Sequence, residues 1–99
     1  MTLEEATQKV SKMAANNGGK VNAIINFKFD EGLIHLDDTV TPTVVSNEDK
    51  NAACTIKMSL DNFEKLMTGN LNPMMAFMAG KMKIDGDMTV AMKLSSIFG

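Results

Sequence analysis

The sequence predicts an α+β fold: a five-stranded, mostly antiparallel sheet with its helices gathered on one face. Three observations predict it. Apolar residues recur at helical spacing in the first sixteen positions, alternate with polar ones between residues 21 and 58, and return to helical spacing near the end. Turn residues separate the alternating runs at short intervals. The strand-like runs cluster in the middle of the chain with one late return at 81–85, the order expected when helices pack on one side of an antiparallel sheet. A length of 99 residues fits one domain over 1–99.

Each element has a local reason. Over residues 2–16, Thr2 caps a helix with Glu5 three positions on, as in a capping box. Leu3, Ala6, Val10, Met13 and Ala14 form its stripe, and the Asn-Asn-Gly-Gly run at 16–19 ends it. Residues 21–29 alternate, with Val21, Ala23, Ile25, Phe27 and Phe29 on one side and Asn22, Asn26 and Lys28 on the other. Asp30, Glu31 and Gly32 form a turn, and 33–37 is the hairpin partner. Residues 40–45 read as a weaker strand broken by Pro42, which places it at a sheet edge. A polar loop at 47–51 leads into a strand at 53–58 with Cys54, Ile56 and Met58 on one side.

Ser59 then caps a helix whose stripe is Phe63, Leu66 and Met67, ended by Gly69. Asn72 and Pro73 open a short helix, as cap and first helical residue, that runs to Gly80. Met82 and Ile84 point inward from a strand at 81–85. Gly86 and Asp87 turn into a last helix over 88–98.

Composition narrows the function. Ten Lys, no Arg and a net charge of −2 argue against nucleic acid, whose recognition favours a basic face and the guanidinium fork. The single Cys54 permits no internal disulfide and suggests a reducing compartment. The sequence shows no signal-peptide pattern, no run near the roughly 20 apolar residues that span a bilayer and no terminal peroxisomal tripeptide, so a cytoplasmic location is expected.

The groups able to carry chemistry are sparse. His35 lies mid-strand without partners at metal-ligand spacing and reads as a surface or inter-strand side chain. Cys54 reads as a buried, inert thiol. Asp37, Asp38, Asp85 and Asp87 read as solvated turn and cap residues rather than an acid–base pair. Lys81 and Lys83 share one strand face, read as solvated, with contact to lipid headgroups or a coenzyme A phosphate as the functional alternative. No nucleophile–base pair or metal-ligand set is present, so neither catalysis nor a cofactor is expected.

The apolar residues are in local excess. Residues 74–78 are apolar around most of the helix, and the last helix leaves only Thr89, Lys93, Ser95 and Ser96 polar. A helix on one side of a sheet needs only a stripe. Ten of the 99 residues are Met, the flexible side chain suited to adaptable walls. The pattern leaves two readings open: a Met-rich core and a ligand cavity.

Residues 69–94 carry a motif: Gly69-x-Leu71-x-Pro73, then Ala76-Phe77-x-x-Gly80-Lys81-x-Lys83-Ile84-x-Gly86-Asp87, then Lys93-Leu94. In this stretch, and in element order along nearly the whole chain, the protein resembles the sterol carrier protein type-2 family. The resemblance implies a hydrophobic tunnel enclosed between the helices and the sheet, open to sterols, fatty acids, acyl-coenzyme A or isoprenoids. It implies walls from Phe63, Leu66, Met67, Met74, Phe77, Met78, Met82, Ile84, Met88, Met92, Leu94 and Phe98. The expected function is non-catalytic binding of an apolar lipid, and its transfer, by a monomer in transient contact with membranes, with the last helix as lid. The alternative is an interaction module whose Met-rich face docks a partner, for example an enzyme of lipid or quinone metabolism.

Overall fold

Thr2 starts the first helix through a reciprocal pair of bonds. Its hydroxyl accepts the Glu5 N–H at 3.1 Å, and Glu5 Oε1 accepts the Thr2 N–H at 3.0 Å. The structure, a computed structural model, describes the backbone of residues 1–98 and the side chains of residues 1–94. Its elements are α1 (Leu3–Asn16), β1 (Ile24–Phe29), β2 (Gly32–Asp37), β3 (Val44–Ser46), β4 (Cys54–Met58), α2 (Leu60–Met67), α3 (Pro73–Met78), β5 (Met82–Gly86) and α4 (Met88–Phe98).

The five strands lie in the order β3-β2-β1-β4-β5. All neighbours are antiparallel except β1 and β4, which run parallel, with Phe27 opposite Ile56. The chain therefore does not continue as a meander from β3 into β4. It crosses the open face of the sheet through the polar 47–53 segment, where Asn26 Nδ2 donates to the Lys50 carbonyl at 2.8 Å and the Ala53 N–H donates to the Ile24 carbonyl at 2.9 Å. This crossover gives β4 two strand neighbours and puts Cys54, Ile56 and Met58 inside the core.

Two strands are shorter than the alternation suggests. β1 begins at Ile24 because the Val21 and Asn22 N–H groups donate to Asp38 Oδ2, at 2.9 and 2.8 Å, instead of to a ladder, and Asn22 takes φ 51°. β3 keeps only Val44–Ser46 at the edge; Pro42, without an N–H, stays outside it.

All four helices cover the face that presents Ile25, Phe27, Ile34, Leu36 and Ile56. α1 supplies Ala6, Val10 and Ala14, and α2 supplies Leu60, Phe63 and Leu66. The Phe63 ring meets Phe27 at 5.4 Å and Phe29 edge-on at 5.1 Å, which closes the core under β1 and β2. On the other side of β4, α3 and α4 cover β5 with far fewer large buried residues.

Candidate functional site

The short third helix is built from its cap. Asn72 Oδ1 accepts the Met74 N–H at 2.9 Å and the Met75 N–H at 3.3 Å, while Pro73 sets the first helical φ. Only Ala76 is buried in α3. The chain then folds back, the Lys81 N–H donating to the Ala76 carbonyl at 2.9 Å, and enters β5 beneath the helix. At the far end of β5, Asp87 Oδ1 caps the fourth helix by accepting the Thr89 N–H at 2.9 Å. α4 sends Val90, Ala91 and Leu94 into the core.

Between α3, β5 and α4 lies a cavity of ≈ 160 Å³ lined by Pro73, Met74, Phe77, Met82, Ile84, Met88, Ala91 and Met92. Every lining side chain is apolar. Met82 is buried, whereas Met74, Met88 and Met92 are exposed, so the cavity opens toward the surface. A wall with no acid, base, nucleophile or hydrogen-bonding side chain can desolvate an apolar body and hold it, and can do little else. A larger groove of ≈ 560 Å³ runs past Asn22, Thr39, Asn51 and Asp87. It is more open than the first cavity, and Ala23, Ile24, Ala52, Ala53 and Val90 share its wall with these polar groups and Lys93.

Of the residues named from the sequence, Met74, Phe77, Met82, Ile84, Met88 and Met92 meet around this cavity. Phe63, Leu66 and Leu94 are sealed in the core, and Met67 packs against its edge. Met78 points to solvent, 81 % exposed. The Phe98 side chain lies outside the described residues. Pro73 and Ala91 line the wall without having been named; Ala91 shares a helical stripe with Met88 and Met92, and its small size drew no notice in the sequence.

The titratable groups lie elsewhere. Asp38, expected to be a solvated turn residue, is only 5 % exposed. Its carboxylate accepts the N–H groups of Gly19, Val21 and Asn22 and the Thr43 hydroxyl, all at 2.8–2.9 Å. Burial raises its pKa, but these donors, Gly19 and Asn22 foremost, outweigh it and hold the carboxyl below the usual carboxylate value. His35 is also buried, under the 47–53 crossover, with Nδ1 at 2.6 Å from Asn26 Oδ1. Because Asn26 donates through Nδ2, its oxygen is the acceptor and Nδ1 the donor. Burial, then the charges of Asp87 and Asp85, pushes the Cys54 thiol up, away from the reactive thiolate. No group of three or more His, Cys, Asp or Glu among the described residues could hold a metal ion. No helix among them is long and apolar enough to cross a membrane.

A model of the SCP-2 sterol transfer family matches residues 3–99. The chain is 35 % identical over 104 residues to human sterol carrier protein 2, an alignment covering 98 % of this chain and 19 % of that protein. The chain thus spans about a fifth of that relative's length. Among solved structures, apo sterol carrier protein 2 from Yarrowia lipolytica superposes with a TM-score of 0.73 at 28 % identity, over 90 % of this chain and 76 % of that one. The sterol carrier protein domain 2 of Helicoverpa armigera superposes at 0.68 and 29 % identity, over 97 % and 79 %.

Proposed function

The chain belongs to the SCP-2 sterol transfer family, and on that premise we propose that it carries a single-chain fatty-acyl lipid in the cavity between α3, β5 and α4. The observation that carries this reading is the all-apolar wall, four of whose eight residues are Met. At ≈ 160 Å³ the cavity is smaller than the roughly 300–1,000 Å³ of ordinary small-molecule pockets. A guest must therefore make room by turning side chains, and Met turns at low cost. A flexible acyl chain can follow such a space; a rigid ring system demands that it open all at once. With no polar side chain inside, a carboxylate or thioester headgroup stays at the mouth in water.

The energetics suffice without any ion pair. Burying methylenes yields about 0.8 kcal/mol each, so a sixteen-carbon chain provides roughly 12 kcal/mol gross. Ordering and loss of free motion remove about a third or more. The remainder, about 8 kcal/mol at most, corresponds to micromolar affinity at best.

Access runs through α3. The sequence reading assigns the lid to the last helix, but α4 buries Val90, Ala91 and Leu94, whereas α3 is anchored by Ala76 alone. An element held by one small buried residue opens at lower free energy than one held by three.

The test is titration with a fluorescent fatty acid. Replacing Ala91→Phe or Ile84→Phe fills the cavity and is expected to weaken binding by about tenfold or more, with the thermal midpoint showing that the variant is folded. Unchanged affinity in both folded variants overturns the cavity assignment. Wild-type protein that takes up a sterol more tightly than palmitate overturns the acyl preference.

A further inference from the structure

Sulfur is unevenly placed in this chain. Of its ten Met, five are exposed, and Met74, Met75, Met78, Met88 and Met92 all belong to α3 or α4. Three of the five also line the cavity: Met74, Met88 and Met92, at 52 %, 42 % and 57 % exposure. Met88 and Met92 stand one helical turn apart on α4, and Met74 comes from α3. The fourth Met of the wall, Met82 on β5, is buried at 7 % exposure. Three thioethers thus meet both the water outside and any guest within.

Flexibility accounts for Met in the wall. Thioether chemistry adds a second property at the rim, because a peroxide dissolved in water reaches these sulfurs directly. The other sulfur group, the Cys54 thiol, is buried in the core and shielded from such an oxidant. The consequence of oxidation also differs by position. A sulfoxide at Met75 or Met78 lies outside the cavity and stays hydrated. A sulfoxide at the rim puts a strong acceptor into a wall with no side chain able to donate to it. A guest entering there would strip water from the S=O group without replacing its hydrogen bonds, which opposes binding.

We propose that Met74, Met88 and Met92 form a reversible modification site for hydrogen peroxide, and that their sulfoxides close the cavity to acyl cargo. The inference rests on the carrier reading given above. The step is an oxygen transfer. A sulfur lone pair attacks one peroxide oxygen, the O–O bond breaks and an S–O bond forms. The proton of the attacked oxygen passes to the departing hydroxide, which leaves as water. Sulfur is oxidised and the peroxide is reduced. A pair of thiols reverses the change, carrying the oxygen away as water and ending as a disulfide. The cavity then holds its guest under reducing conditions and releases it when peroxide accumulates.

Peroxide treatment tests it, with uptake of a fluorescent fatty acid, peptide mass mapping and the thermal midpoint read on the same samples. Oxidised wild type is expected to stay folded, to carry sulfoxide at Met74, Met88 and Met92 before Met82, and to bind about tenfold more weakly or worse. Thiol-driven methionine sulfoxide reductases for both sulfoxide epimers should restore uptake. The variant Met74→Leu/Met88→Leu/Met92→Leu conserves wall volume without a thioether; whatever its starting affinity, peroxide should change that affinity by less than about twofold. A control, Met75→Leu/Met78→Leu, is expected to lose uptake on peroxide treatment as wild type does. The proposal is overturned if uptake survives sulfoxide at all three rim positions, if the triple variant loses uptake as wild type does, if the control is protected, or if uptake is lost only through unfolding. Unoxidised wild type that takes up no fatty acid removes the carrier reading itself, and this proposal with it, an outcome distinct from the other four.

Discussion

Asp38 shows how one side chain can organise a fold's entrance. Three backbone N–H groups that precede β1 and one hydroxyl from the β2–β3 connection converge on its two oxygens. Asp38→Ala strands the buried Val21 N–H and three part-buried donors beside it, and is expected to lower stability by about 2–4 kcal/mol, measured by urea unfolding. The same residue predicts an acid limb. Its folded pKa lies below the unfolded value of about 3.9, so the stabilisation is complete above roughly pH 5 and disappears as pH falls through the folded value. Asp38→Asn should flatten that limb; an unchanged acid profile would remove Asp38 as its cause. Cys54 makes the opposite case, a group kept idle by its surroundings. With the side chain buried and its pKa raised, labelling by a disulfide reagent should proceed only as fast as the protein opens, and urea should accelerate it strongly.

At the scale of elements, the β5–α4 junction depends on one close approach. Gly86 takes φ 107°, and a Cβ there would sit 2.4 Å from the Ala53 carbonyl oxygen and 3.2 Å from Cys54 Cα. The sequence marks this glycine as a turn former, and the structure adds that Ala53 and Cys54, at the entrance to β4, press directly against its backbone. Gly86→Ala must move backbone on both strands and is expected to cost about 2–4 kcal/mol in chemical unfolding. It should also disturb the cavity, because Asp87 and the start of α4 follow at once. The α3 helix is the contrasting case, capped well by Asn72 yet fixed by Ala76 alone. Its amide protons are expected to exchange faster than those of α2, and a bound fatty acid should slow them.

For the molecule as a whole, the unequal packing on the two sides of β4 sets the response to ligand. Phe27, Phe29 and Phe63 close the α1–α2 side, whereas the α3–α4 side is left with a cavity. A guest that binds only the folded state adds about 2.7 kcal/mol at a hundred times its dissociation constant. For a chain of this length that amounts to a rise of roughly 10–20 °C in the thermal midpoint. A fatty acid that produces no rise at saturating concentration would contradict the proposed cargo.

Much of this protein was legible in its sequence because the signals were local. The capping box at Thr2 and Glu5, the Asn72-Pro73 helix start and the alternation from Ile25 to Phe29 each depend on neighbours a few residues away. The resemblance at 69–94 pointed to the family, and the Met excess pointed to the segment that lines the cavity. What the sequence could not determine depends on partners distant in the chain. The parallel placement of β4 beside β1 comes from a crossover held by Asn26 and Lys50. The burial of Asp38 and His35 and the split of the apolar residues between core and cavity both follow from that sheet order. Periodicity states which face a side chain takes on its own element; only the tertiary structure decides what lies across from it.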